Sequence, residues 1–68
     1  MAEQVNHPKH YRRGKIETWD FIVDQDFPYL IGNAVKYLAR YRYKQKPVED
    51  LKKAVAYINK QIEVLNAS

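Results

Sequence analysis

The sequence predicts an all-α protein, with an irregular N-terminal arm and then three helices over about 16–25, 29–43 and 48–65, the last two forming a helical hairpin that assembles into a homo-oligomer. Three observations predict it. Apolar residues recur every three or four positions in each segment. Pro28 and Pro47 stand where the second and third helices would begin, and proline suits a first helical turn. No stretch alternates with the period of two that a half-buried strand needs. The assembly follows from size. The 68 residues hold 18 large apolar side chains (six Val, five Ile, four Leu, two Phe and one Trp) and no cysteine. Chains below roughly 70–80 residues usually need a disulfide, a structural metal or self-association, and the missing cysteines exclude disulfides and thiolate zinc sites.

Two regions are read, a basic arm over 1–15 and a single helical domain over 16–66. The arm holds too few apolar residues to pack alone, and the proline at position 8 predicts an extended His7. In the first helix Ile16, Trp19, Ile22 and Val23 share one arc and Glu17, Asp20 and Asp24 another; Asp26-Phe27-Pro28 closes it. In the second, Leu30, Ile31, Ala34, Val35, Leu38 and Tyr41 cover nearly half the circumference, with Asn33, Lys36, Arg40 and Lys44 opposite. In the third, Leu51, Ala54, Val55, Ile58, Ile62 and Leu65 make a seam close to coiled-coil spacing, and Asp50, Lys53 and Tyr57 align on its flank. Trp19, Leu51, Ile58 and Ile62 are expected in the core.

The net charge of +4 is unevenly placed. Residues 9–15 carry +4 and residues 36–46 carry +5, while residues 16–27 carry −4. Two basic clusters point to an anionic partner, and the acidic segment between them favours a small anion over a long polyanion. Lys36 and Arg40, one turn apart, can reach one phosphate group, the arginine with a planar fork and the lysine with a point charge. Tyr37 supplies an aromatic face and Asn33 an amide, a combination suited to a nucleotide or a single strand. The plain alternative is a solvated helix face, but no acid occurs between Phe27 and Val48 to balance these cations. In the arm, Asn6, His7, Lys9, His10 and Tyr11 can hydrogen-bond and stack on a base or hold a phosphate. Two histidines without a third ligand do not make a zinc site, so no metal and no cofactor are expected. Glu17 can receive a ribose hydroxyl or a guanine edge. The two glycines, Gly14 and Gly32, form no phosphate loop, which excludes a Walker-type fold. The lone serine is terminal and cysteine is absent, which excludes covalent catalysis by either.

Four spaced motifs carry a resemblance: Asn6-His7-Pro8-Lys9-His10-Tyr11; Gly14 with Ile16-Glu17; Gly32 to Leu38 with Arg40-Tyr41; and Asp50 to Ala54 with Tyr57. Over about residues 5–63 the chain resembles a small phage-encoded family that includes the domain found in the nucleotide kinase of T-seven-type phages and the abortive-infection sensitivity protein of lactococcal phages. The resemblance implies an all-helical, oligomeric phage accessory protein that handles nucleotides in the cytoplasm of an infected bacterium. It implies binding roles for Asn6, His7, His10, Tyr11, Glu17, Asn33, Lys36, Tyr37, Arg40, Asp50 and Lys53. The chain departs from the kinase members in being much shorter and in having Tyr41-Arg42-Tyr43 where many relatives carry a glycine after the arginine. The function expected is therefore sequestration of a nucleotide or cyclic-nucleotide immune signal in inter-subunit basic pockets, without chemistry. The alternatives are a nucleoside monophosphate kinase and, more weakly, a nucleic-acid-binding module. No membrane partner is expected, because no apolar run approaches the ~20 residues that span a bilayer.

Overall fold

The computed structural model describes residues 14–67, and these form three α-helices and one short 3-10 turn, with no strand among them. Helix α1 covers Thr18–Asp24 and helix α2 covers Tyr29–Arg40. The 3-10 turn covers Tyr41–Tyr43, and helix α3 covers Pro47–Ala67. The all-α expectation holds, with shifted boundaries. α1 starts two residues later than expected, and the expected end of the second helix tightens into the 3-10 turn. α3 runs longer at both ends. No described helix is long and apolar enough to cross a membrane.

The end of α1 explains how the chain reverses. Asp26 has φ 55°, the left-handed region. Its amide donates to the Val23 carbonyl at 3.1 Å, and the amide of Phe27 donates to the Ile22 carbonyl at 3.2 Å. These two bonds satisfy carbonyls that the helix end leaves open, and they are the pair that a left-handed residue just past a helix produces. Phe27 then folds back edge-on against Phe21, with ring centroids 5.6 Å apart. Pro28 follows as the extended N-cap of α2.

Small residues set how closely the helices pack. Gly32 and Ala34 on α2 and Asp50 and Ala54 on α3 are the buried residues. A methyl added at Gly32 would meet the Ile22 Cγ2 at 3.2 Å, so Gly32 is where α1 lies on α2. Helix α3 packs antiparallel to α2: Arg40 at the end of α2 meets Asp50 at the start of α3, and Tyr37, one turn earlier, meets Tyr57.

The core expectation fails for four residues. Trp19, Leu51, Ile58 and Ile62 are 36%, 36%, 38% and 50% exposed. Periodicity identified an apolar face on α3, but α2 packs on the neighbouring row of Asp50, Ala54 and Tyr57. Among the described residues no large apolar side chain is buried, and Ala34 and Ala54 are the buried apolar ones.

Candidate functional site

The basic stripe of α2 turns inward at its C-terminal end. Residues 33, 36, 37 and 40 all lie on the flank that meets α3, and all are half-buried. Tyr37 stacks on Tyr57 of α3, with centroids 5.9 Å apart and planes 19° from parallel. Tyr29 meets the same Tyr57 edge-on at 6.3 Å. Partial burial first, then the nearby hydroxyls of Tyr29 and Tyr37 and a hydrogen bond with Tyr29, hold the Tyr57 hydroxyl above its ordinary pKa.

Three cations gather on Tyr37. The Arg40 guanidinium carbon lies 4.7 Å from the ring centroid, Lys36 Nζ 5.1 Å and Lys53 Nζ 5.5 Å. Each such contact offsets part of the repulsion among like charges, at about 0.5–1 kcal/mol where solvent reaches the pair. The balancing carboxylate is Asp50. Its side chain is 6% exposed, and its Oδ2 faces Arg40 Nε at 3.6 Å across the helix pair, an ion pair beyond hydrogen-bond length. The arrangement is interhelical. Asp50 serves Arg40, and Lys53 leans on Tyr37.

Beside this cluster the connection from α2 to α3 opens a cleft of about 470 Å³, lined by Arg40, Tyr43, Lys44, Gln45, Lys46, Glu49, Asp50 and Lys53. The volume falls in the range of small-molecule sites. Four basic side chains face two carboxylates there. Of the carboxylates, Glu49 is exposed and within 3.9 Å of Lys46, and Asp50 is buried against Arg40. The first turn of α3 forms one wall, so the positive end of that helix dipole adds to the cationic field.

The residues expected to bind divide three ways. Arg40, Asp50 and Lys53 line the cleft, with Lys36 and Tyr37 immediately behind it. Glu17 and Asn33 do not line it. Glu17 is the extended N-cap residue of α1 and makes no side-chain capping bond, and the Asn33 side-chain amide donates to the Tyr29 carbonyl of its own helix at 2.9 Å. Asn6, His7, Lys9, His10 and Tyr11 lie outside the described residues. The described residues hold no group of three or more His, Asp or Glu positioned to bind a metal ion.

Tyr43, Lys44, Gln45, Lys46 and Glu49 line the cleft and were not among the expected site residues. Tyr43 is the last residue of the expected second helix, and Lys44 to Lys46 are its polar connection to the third, where periodicity gives no direction. In the structure Tyr43 is 38% exposed and lines the cleft, with the Arg42 guanidinium 5.7 Å from its ring.

Residues 5–59 match the profile of a protein family of unknown function, DUF3310. The chain belongs to that family. The matched span takes in the arm, α1, α2, the connection and the first half of α3, so every residue that lines the cleft lies within what DUF3310 members share as a domain. Neither the curated proteins nor the solved structures contain a match to the chain.

Proposed function

We propose that the cleft between the end of α2 and the start of α3 binds a nucleotide, and that the protein sequesters this ligand rather than transforming it. The observation that carries the reading is the gathering of Arg40, Lys44, Lys46 and Lys53 with Tyr43 around one cavity of nucleotide-accommodating size. The lysines supply mobile point charges for phosphate oxygens and Arg40 a planar fork. Asp50 places a countercharge beside that fork, 3.6 Å from its Nε. Tyr43 offers a ring for a base, and Gln45 an amide for its polar edge. Two carboxylates on the wall disfavour a long polyanion and suit a ligand whose ribose or base donates hydrogen bonds.

The resemblance to phage nucleotide-handling proteins supports the same ligand class. In that setting the sequestered molecule is a nucleotide or cyclic-nucleotide immune signal, and the protein a phage accessory that counters host defence in the cytoplasm. Isothermal titration against linear and cyclic nucleotides tests the proposal. Saturable heat with at least one of them is expected, and silence across the panel contradicts it.

The second reading, a nucleoside monophosphate kinase, rests on the same resemblance and on the buried Asp50 among cations, a charge arrangement that phosphoryl transfer can use. Incubation with ATP and each deoxynucleoside monophosphate decides it. Diphosphate product establishes catalysis, and its absence at high protein concentration leaves binding alone.

A further inference from the structure

Helix α3 carries two lengthwise rows of side chains, and the protomer uses only one. The first row is Asp50, Ala54, Tyr57 and Gln61, the residues of α3 that are not exposed. It makes the contacts to Arg40, Tyr29 and Tyr37 on α2. The second row is Val48, Leu51, Val55, Ile58, Ile62 and Leu65. All six are exposed, from 36% at Leu51 to 66% at Leu65. At 100° per residue the two rows lie roughly a third of a turn apart, so α2 covers the first and leaves the second to solvent.

The exposed row has the detailed pattern of a two-stranded coiled coil. Its steps alternate three, four, three, four, three along about 26 Å of helix. One of its two heptad positions holds Val48, Val55 and Ile62, all β-branched, and the other holds Leu51, Ile58 and Leu65. β-Branched residues at the first position with mostly leucine at the second favour two parallel strands. Lys52, Asn59 and Asn66 border one side and Ala54 and Gln61 the other. Ala54 and Gln61 belong to the row that α2 covers, so Lys52, Asn59 and Asn66 form the open flank, with Lys52 its one charged residue. The remaining charged residues, Glu49, Lys53, Lys60 and Glu63, lie away from the row, with Lys60 and Glu63 paired to each other at 3.4 Å.

We propose that this row is the self-association surface, and that two copies pair through α3 in parallel and in register. The occupant is a second copy because the row is complementary to itself in spacing and in residue shape. Since α3 begins at the cleft, parallel pairing sets two clefts at the same end of the dimer. The proposal is independent of what the cleft binds.

Native mass measurement and cysteine cross-linking test it on the full chain. The wild type is expected at twice 8.1 kDa, and Ile58→Lys at the protomer mass with its helical circular dichroism retained. The chain has no cysteine, so Leu65→Cys reports orientation directly, and in a parallel pair it forms a disulfide-linked dimer under mild oxidation. A protomer mass or a mass above the dimer for the wild type overturns the proposal, as does a dimer that persists in Ile58→Lys. Cross-linking only in a mixture of Val48→Cys and Leu65→Cys overturns the parallel arrangement. If Ile58→Lys loses its helicity, the Leu65→Cys dimer supports the interface and its failure to form contradicts it.

Discussion

Arg40 and Asp50 join the last turn of α2 to the first turn of α3, Nε to Oδ2 at 3.6 Å, with side chains 18% and 6% exposed. An ion pair this enclosed gains little net stability while intact, but removing one partner leaves the other charge in a poorly solvated position. Asp50→Ala is therefore expected to lower unfolding free energy by about 3 kcal/mol. Urea denaturation of the variant beside the wild type measures it. Arg40→Lys is expected to fall between them, since an ammonium cannot reproduce the fork that faces Asp50.

The stacked pair of Tyr37 and Tyr57 gives a prediction in pH. The Tyr57 hydroxyl titrates above its ordinary value of 10.0, chiefly through burial and then through Tyr29 and Tyr37. A group whose folded pKa is raised contributes stability that is complete below the unfolded pKa and is lost as pH rises through the folded one. Thermal stability should therefore hold up to about pH 10 and decline beyond it. Tyr57→Phe should flatten that alkaline decline. Melting temperature against pH for both proteins checks the sign.

The contact of Gly32 with Ile22 predicts a coupled pair. Alanine at position 32 gains helix propensity of about 1 kcal/mol, but its methyl group meets Ile22 Cγ2 at 3.2 Å. Leucine at position 22 lacks that branch at Cβ. Gly32→Ala should accordingly be more favourable in the Ile22→Leu background than in the wild type, by about 0.5 kcal/mol or more in a double-mutant cycle. Gly32→Leu should cost about 1–3 kcal/mol by overpacking.

Asp26 holds the left-handed conformation that ends α1, at φ 55°. Glycine adopts this region without a Cβ penalty, whereas a β-branched residue meets it in full. Asp26→Gly is expected to raise stability by about 1 kcal/mol, and Asp26→Val to lower it by about 1–2 kcal/mol. Guanidinium melts of the two variants separate these outcomes.

How far the sequence reaches is clearest on α2 and α3. Helical period, Pro28 and Pro47 located both helices within a few residues, because these signals are local. The gathering of Lys36, Tyr37 and Arg40 on one stripe was also legible, since no acid interrupts it. What period cannot supply is the identity of the neighbour. The apolar row from Leu51 to Leu65 looked like core, yet the helix hairpin closes on Asp50, Ala54 and Tyr57, small or aromatic residues that allow a close approach and carry the ion pair to Arg40. The part that Tyr43 and Lys46 play in the cleft was not legible, because Tyr43 leaves the expected helix for the 3-10 turn and Lys46 sits in the connection, where spacing gives no direction. The αL residue at Asp26 was hidden for a similar reason, as glycine is the usual signal there and aspartate is a rarer substitute.

For the cleft, Lys53→Ala removes a cation that lines it and is exposed, and Tyr43→Ala removes its ring. The first should weaken binding of any phosphorylated ligand about tenfold or more, the usual worth of a charge-assisted contact. The second should weaken nucleotides by about 1–3 kcal/mol of stacking while leaving inorganic pyrophosphate unaffected. Titration of both ligands into both variants resolves the two contributions.

The most direct measurement of the central claim is an amide NMR titration of the full chain with the nucleotide that binds most tightly. The account predicts perturbations concentrated between Arg40 and Lys53, fading along α3 beyond Tyr57 and small in α1. Perturbations centred elsewhere, with residues 40–53 unmoved at saturation, would contradict it.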